Sequence, residues 1–193
     1  MANKTSSEVI KSLGIATAQQ IQKKLGVSQP TLSRWVKSGQ LIKLSHGFYV
    51  HPKFEIPPES LEFAIACAKF GPQSAIGGLT ALFHYGLTDQ PPAEVWMVVP
   101  PLKAYSSSQY RTLRTKTSLK LGIDTFKFYR IVTIERAIVE ALKFSTKIGQ
   151  RTAINATRTA LREGKTTEKK LGEMAKKLKL RSFFEKYWES IVS

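Results

Sequence analysis

A chain of 193 residues with 42% hydrophobic residues is long enough for one large or two small globular domains, and two are expected. Its formal net charge of +16 and pI near 10 point to a polyanionic partner. One cysteine excludes an internal disulfide and fits a reducing cytoplasm. No run approaches the roughly 18 apolar residues of a membrane span, and the first fourteen residues lack the apolar core of a signal peptide.

Ser6–Leu13 is expected to be a short helix with Val9, Ile10 and Leu13 on its apolar face. The stretch from Thr17 to Val50 organises the chain. Thr17 with Gln20 three residues later reads as a capping box, and Ala18, Ile21 and Leu25 then share a face. Gly26 stands where a helix would end, Ser28 where the next would be capped, and Pro30 in that helix's first turn. Leu32, Trp35 and Val36 form the buried stripe, which leaves Gln29, Thr31, Ser33, Arg34 and Lys37 outward. Two short helices about a glycine turn read as a helix-turn-helix, whose second helix enters the major groove.

Leu41–Leu44 and Phe48–Val50 are then expected to pair across Ser45-His46-Gly47 as the wing of a winged helix. Lys43 and His46 join the candidate DNA-binding residues. No carboxylate occurs between Gly26 and Lys53, as a surface facing phosphates requires. Residues 1–52 are therefore read as a DNA-binding domain for double-stranded promoter DNA. Three prolines in Pro52–Pro58 make residues 53–58 the expected linker.

In residues 59–193, Glu59–Phe70 reads as an apolar helix in which Cys67 is structural. Ser74–Tyr85 reads as a second buried helix, with Gly77 and Gly78 in its interior for close packing. These glycines carry no phosphate-binding role, since no Gly-Lys-Ser/Thr follows them and no strand is expected before them. Glu94–Val99 is expected to be a strand buried on both faces, Ala104–Lys116 a surface loop or loosely held helix, and Phe126–Val132 a second strand. Thr133 would cap a helix over Ile134–Phe144 with Ile138, Ala141 and Leu142 inward.

The remainder reads as helical. Arg151–Arg162 buries Ala153, Ile154, Thr157, Ala160 and Leu161, Thr167 caps a helix built on Leu171, Met174, Ala175 and Leu178, and an aromatic helix ends the chain. Arg151, Arg158, Arg162, Lys169, Lys170, Lys176 and Lys177 face outward in a segment, 143–193, with thirteen basic residues against five acids. They form either a solvated face or a partner-binding surface. The fold class expected is α+β: an N-terminal winged helix-turn-helix, then a small mixed α/β domain with a helical tail.

Catalytic patterns are missing. The three histidines, His46, His51 and His84, have no metal-ligand spacing, and neither a P-loop nor Gly-x-Ser-x-Gly occurs. No metal, cofactor or enzymatic activity is therefore expected.

Three motifs in order resemble one family: His46-Gly47-Phe48-Tyr49 at the wing, the stretch from Ser74 to His84-Tyr85-Gly86-Leu87, and Thr133-Ile134-Glu135-Arg136-Ala137. Together they are similar to the AbiEi antitoxins of type IV abortive-infection toxin–antitoxin systems. The resemblance implies a cytoplasmic protein that represses its own operon through promoter repeats. It also implies a C-terminal domain that counteracts a cognate toxin of the nucleotidyltransferase type, with or without a stable complex. The residues themselves leave two alternatives open, a plain regulator whose C-terminal domain binds a ligand or dimerises, and a nucleic-acid enzyme targeted by the winged helix.

Overall fold

The computed structural model describes residues 5–102 and 107–193. Its contacts divide the chain into two compact units, residues 1–69 and 70–193. The division falls beyond the proline-rich 53–58 segment and near the end of a helix.

In the first unit, α1 (Ser6–Leu13) opens on a capping box in which Thr5 and Glu8 satisfy each other's backbone N–H groups. β1 (Ala16–Thr17) follows, and Thr17 with Gln20 makes the second capping box, at the start of α2 (Ala18–Leu25). Gly26 ends α2 in the left-handed region, φ 67° and ψ 25°, which a residue with a Cβ enters at a cost. Then come α3 (Gln29–Lys37), β2 (Ile42–Ser45), β3 (Phe48–Val50) and α4 (Pro58–Phe70). The core is one cluster of Ile10, Ala16, Ile21, Leu32, Leu41 and Tyr49, with Leu25, Trp35 and Val36 packed against it.

The wing is a three-stranded sheet in the order β1-β3-β2. Its third strand was not expected: β1 pairs Ala16 with Tyr49 and Thr17 with Phe48. The β2–β3 turn is His46-Gly47 alone, because Ser45 still pairs, opposite Phe48, after a bulge between Lys43 and Ser45.

The second unit is built on a mixed five-stranded sheet. Its elements are β4 (Ala75–Ile76), α5 (Gly78–His84), β5 (Val95–Val99), β6 (Tyr110–Arg114), β7 (Ile123–Thr125) and β8 (Arg130–Val132), then α6 (Ile134–Lys143), α7 (Ser145–Ile148), α8 (Gln150–Arg162), α9 (Glu168–Lys177) and α10 (Arg181–Val192). The strand order is β6-β5-β4-β8-β7, with β5–β6 and β4–β8 parallel and β4–β5 and β7–β8 antiparallel. Every residue of β5 is buried, as the apolar run required. α6 packs against α5, α8, α9 and α10, and everything from Arg136 to Leu142 in it is buried.

Three expectations fail here. Ser74–Tyr85 is not one helix: Ala75-Ile76 is a strand, and Gly77-Gly78 is the turn into α5 rather than a helix interior. A strand therefore does precede the two glycines. The close packing expected of them holds, since a Cβ on Gly77 would stand 2.2 Å from Val98 Cγ2 and one on Gly78 would stand 2.6 Å from Trp96 Cε3. Within 104–116, Tyr110–Arg114 is a strand with Tyr110 and Leu113 buried, while 104–106 lie outside the described residues. Phe126–Tyr129 is the turn between β7 and β8, closed by Phe126 N–H donating to Tyr129 O at 2.9 Å, so the second expected strand shrinks to Arg130–Val132.

Candidate nucleic-acid interface

The helix-turn-helix geometry follows from local chemistry. Gly26 N–H donates to Gln22 O at 2.7 Å, which turns the chain toward α3. Ser28 holds the N-cap position but makes no side-chain cap; its hydroxyl instead lies 3.1 Å from that of Thr31. Pro30 occupies the first turn, where N–H groups have no intrahelical acceptor. Leu32 is fully buried, and Trp35 and Val36 are half-buried beside it, so the opposite face of α3 is fixed toward solvent.

On that face Gln29, Ser33, Arg34 and Lys37 are exposed. Thr31 is half-buried and already engaged, by Ser28 and by Arg34 Nη2 at 3.4 Å. It therefore orients Arg34 more than it reaches outward. The long, exposed Arg34–Thr31 bond is easily exchanged for another acceptor. In the wing, Lys43 and His46 are exposed, and Gly47 takes φ +77° in the turn. Lys23 and Lys24, exposed in the last turn of α2, were not singled out from the sequence, although two adjacent lysines at a helix end are a readable sign.

The surface these residues share carries no carboxylate anywhere between Glu8 and Glu55. His51, at the end of the wing, is buried and ties it to α1. Lys53 N–H donates to His51 Nδ1 at 3.0 Å, so the ring proton sits on Nε2, which donates to Ser7 Oγ at 2.8 Å. That tautomer cannot take a proton from the serine, so the pair fastens the unit together and is no nucleophile–base dyad.

In the second unit the candidate cations separate. Arg151, Arg162, Lys169, Lys170, Lys176 and Lys177 are exposed. Arg158 is spent on the fold: Nη2 donates to Ser190 O at 2.6 Å and Nε to Ile191 O at 3.1 Å, which satisfies carbonyls at the end of α10. The aromatic end is docked, with Phe184, Tyr187 and Ile191 buried and Tyr187 Oη 3.0 Å from Ser145 Oγ. Cys67 is buried. Among the described residues no three His, Cys, Asp or Glu side chains gather as a metal site, and no helix is long and apolar enough to cross a membrane.

No curated protein matches this chain. Among solved structures it is similar to the crystal structure of the RV2827C protein from Mycobacterium tuberculosis, with a TM-score of 0.55 at 14% identity over 92% of this chain and 76% of that one. At that identity the likeness concerns the fold alone. Residues 6–52 match a family model described as transcriptional regulator, AbiEi antitoxin. The resemblance to AbiEi-type antitoxins read from the motifs is thus shown over the segment that runs from α1 to the end of the wing.

Proposed function

We propose that this chain is an antitoxin and transcriptional autorepressor of a type IV toxin–antitoxin operon. Residues 1–52 bind repeats in the operon's own promoter, with α3 in the major groove and the wing beside it. The C-terminal unit counteracts a nucleotidyltransferase-type toxin and catalyses nothing itself. The observation that carries the DNA-binding part is the exposed, carboxylate-free face of α3 and the wing, with Gln29, Ser33, Arg34, Lys37, Lys43 and His46 on it. Arg34, near the middle of α3, reads base edges with Gln29, while Lys37 and Lys43 neutralise phosphates.

The test is anisotropy of the full chain on its own upstream region and on scrambled duplex, across a salt series. Log affinity is expected to fall with log salt by about 0.9 per phosphate neutralised. Arg34→Ala should cost roughly 1–3 kcal/mol on the promoter and much less on scrambled DNA, whereas Lys43→Ala should weaken both alike. Salt-insensitive affinity, or equal losses for Arg34→Ala on both duplexes, would refute this assignment.

A further inference from the structure

α9 and α10 enclose a groove of about 620 Å³ that the candidate interface does not use. Its floor is Phe184 and the half-exposed Trp188, whose ring centroids lie 5.0 Å apart. One wall is Gly172, in the interior of α9, where glycine weakens a helix relative to alanine. Nothing among the described residues requires it. Gly172 is not at positive φ, and a Cβ there would meet no atom within 4 Å. Gly77 and Gly78, by contrast, are each demanded by a neighbour. What a glycine at position 172 provides is a bare wall that another ring or backbone can approach closely.

The rim indicates whose ring that is. Residues 143–193 hold only five carboxylates, and four of them, Glu168, Glu173, Glu185 and Glu189, line this groove. A nucleic acid backbone finds no net positive field there. Three cations, Lys169, Lys176 and Arg181, stand among them, and Arg181 already pairs with Glu185 at 2.6 Å. A rim of nearly balanced sign suits its own two-fold copy, because each copy then meets acids and bases together and not a like-charged face. On α10, Arg181, Phe184, Glu185, Trp188 and Glu189 recur at three, four, seven and eight residues, the spacing of a helix-packing stripe.

We infer that the α9–α10 groove is a self-association surface, in which Trp188 of each copy packs against the Gly172 wall of a second copy of this chain.

Sedimentation equilibrium of the full chain should show a reversible monomer–dimer equilibrium. Gly172→Ala separates this role from a structural one, because its two effects have opposite signs. It should raise the melting temperature of dilute monomer while weakening the dimer about tenfold or more, since each copy loses its close approach. Trp188→Ala should weaken the dimer at least as much with the far-UV spectrum unchanged. If Trp188→Ala fails to fold, Gly172→Ala alone decides. A wild-type chain that stays monomeric at every concentration overturns the inference, and so does a Gly172→Ala dimer of unchanged affinity.

Discussion

Arg136 is the bulkiest side chain among the fully buried residues described, and it sits in the Ile-Glu-Arg-Ala stretch that carried part of the family resemblance. Nη1 donates to Ser118 O at 2.7 Å and Leu121 O at 2.5 Å, and Nη2 donates to Glu140 Oε1 at 2.9 Å. One guanidinium thus holds the loop ahead of β7 against α6. Burial raises the Glu140 carboxyl above its ordinary range, against the pull of Arg136 and Lys143. Burial likewise lowers Lys143. Arg136→Leu would leave Glu140 buried without its cation, so a loss of about 3–5 kcal/mol is expected in urea denaturation at neutral pH. In that variant the folded-state pKa of Glu140 rises further above its unfolded value. The folded state then binds the extra proton, and stability is regained as pH falls toward the unfolded pKa. The deficit against wild type should therefore narrow from pH 7 to the ordinary carboxylate range. A deficit independent of pH would show that the lost loop contacts, and not the stranded carboxylate, set the cost.

At the scale of elements, the turn at Gly77-Gly78 joins sheet to helix where no side chain fits. Gly78 takes φ +52°, and a Cβ there would also come within 2.9 Å of Leu113 Cδ1. Gly78→Ala should destabilise the chain by roughly 1–3 kcal/mol through both the strained dihedral and the overpacking against Trp96. An unchanged denaturation midpoint would refute this packing role. The same turn shows where reading the sequence stops. The Thr17–Gln20 box, the Gly26 cap, the Leu32 stripe and the Thr133 cap are legible because their partners lie within four residues. Ala75-Ile76 is not, because a two-residue strand exists only through its pairing with Met97, Val98 and Ile131. β1 is hidden in the same way by its pairing with Phe48 and Tyr49. Tyr110–Arg114 was masked by its serine- and threonine-rich surroundings and because its two buried residues, Tyr110 and Leu113, are three apart and so lie on opposite faces, which breaks the alternation of a half-buried strand. Phe126–Tyr129 misled in the other direction: alternation imitates a strand where Phe126 and Tyr129 in fact stack, 4.9 Å apart, across a turn. Of the candidate site, the outward face of α3 was legible from its buried stripe. The engagement of Thr31 and Arg158 was not, since it depends on where other side chains and another helix end lie.

Across the whole molecule, charge is distributed unevenly. Residues 1–52 carry seven Lys and Arg against one acid, and residues 143–193 carry thirteen against five, while the sheet-bearing middle is close to neutral. Two basic regions on one chain raise the question of whether they serve one polyanion or two tasks, and the structure sorts the residues for a clean answer. Arg158 must be left alone, because reversing it would strip the carbonyls at the end of α10 of their donor. Lys176 is also unsuitable, since it lines the α9–α10 groove. Arg162, Lys170 and Lys177 are exposed and line no groove described above; Arg162 makes only a loose contact with Glu163 at 3.8 Å. Reversing these three to Glu in the full chain changes the charge by six without touching the core. If the C-terminal unit counteracts the toxin through this basic face, the triple variant should fail to rescue cells expressing the cognate toxin. If residues 1–52 alone carry promoter binding, as proposed, affinity for promoter DNA should change little in the triple variant. The converse variant, Arg34→Ala with Lys43→Ala, should rescue cells yet fail to repress the operon. Rescue that survives the triple reversal would make the tail an ordinary solvated face, and rescue lost together with repression in both variants would mean that the two activities share one surface.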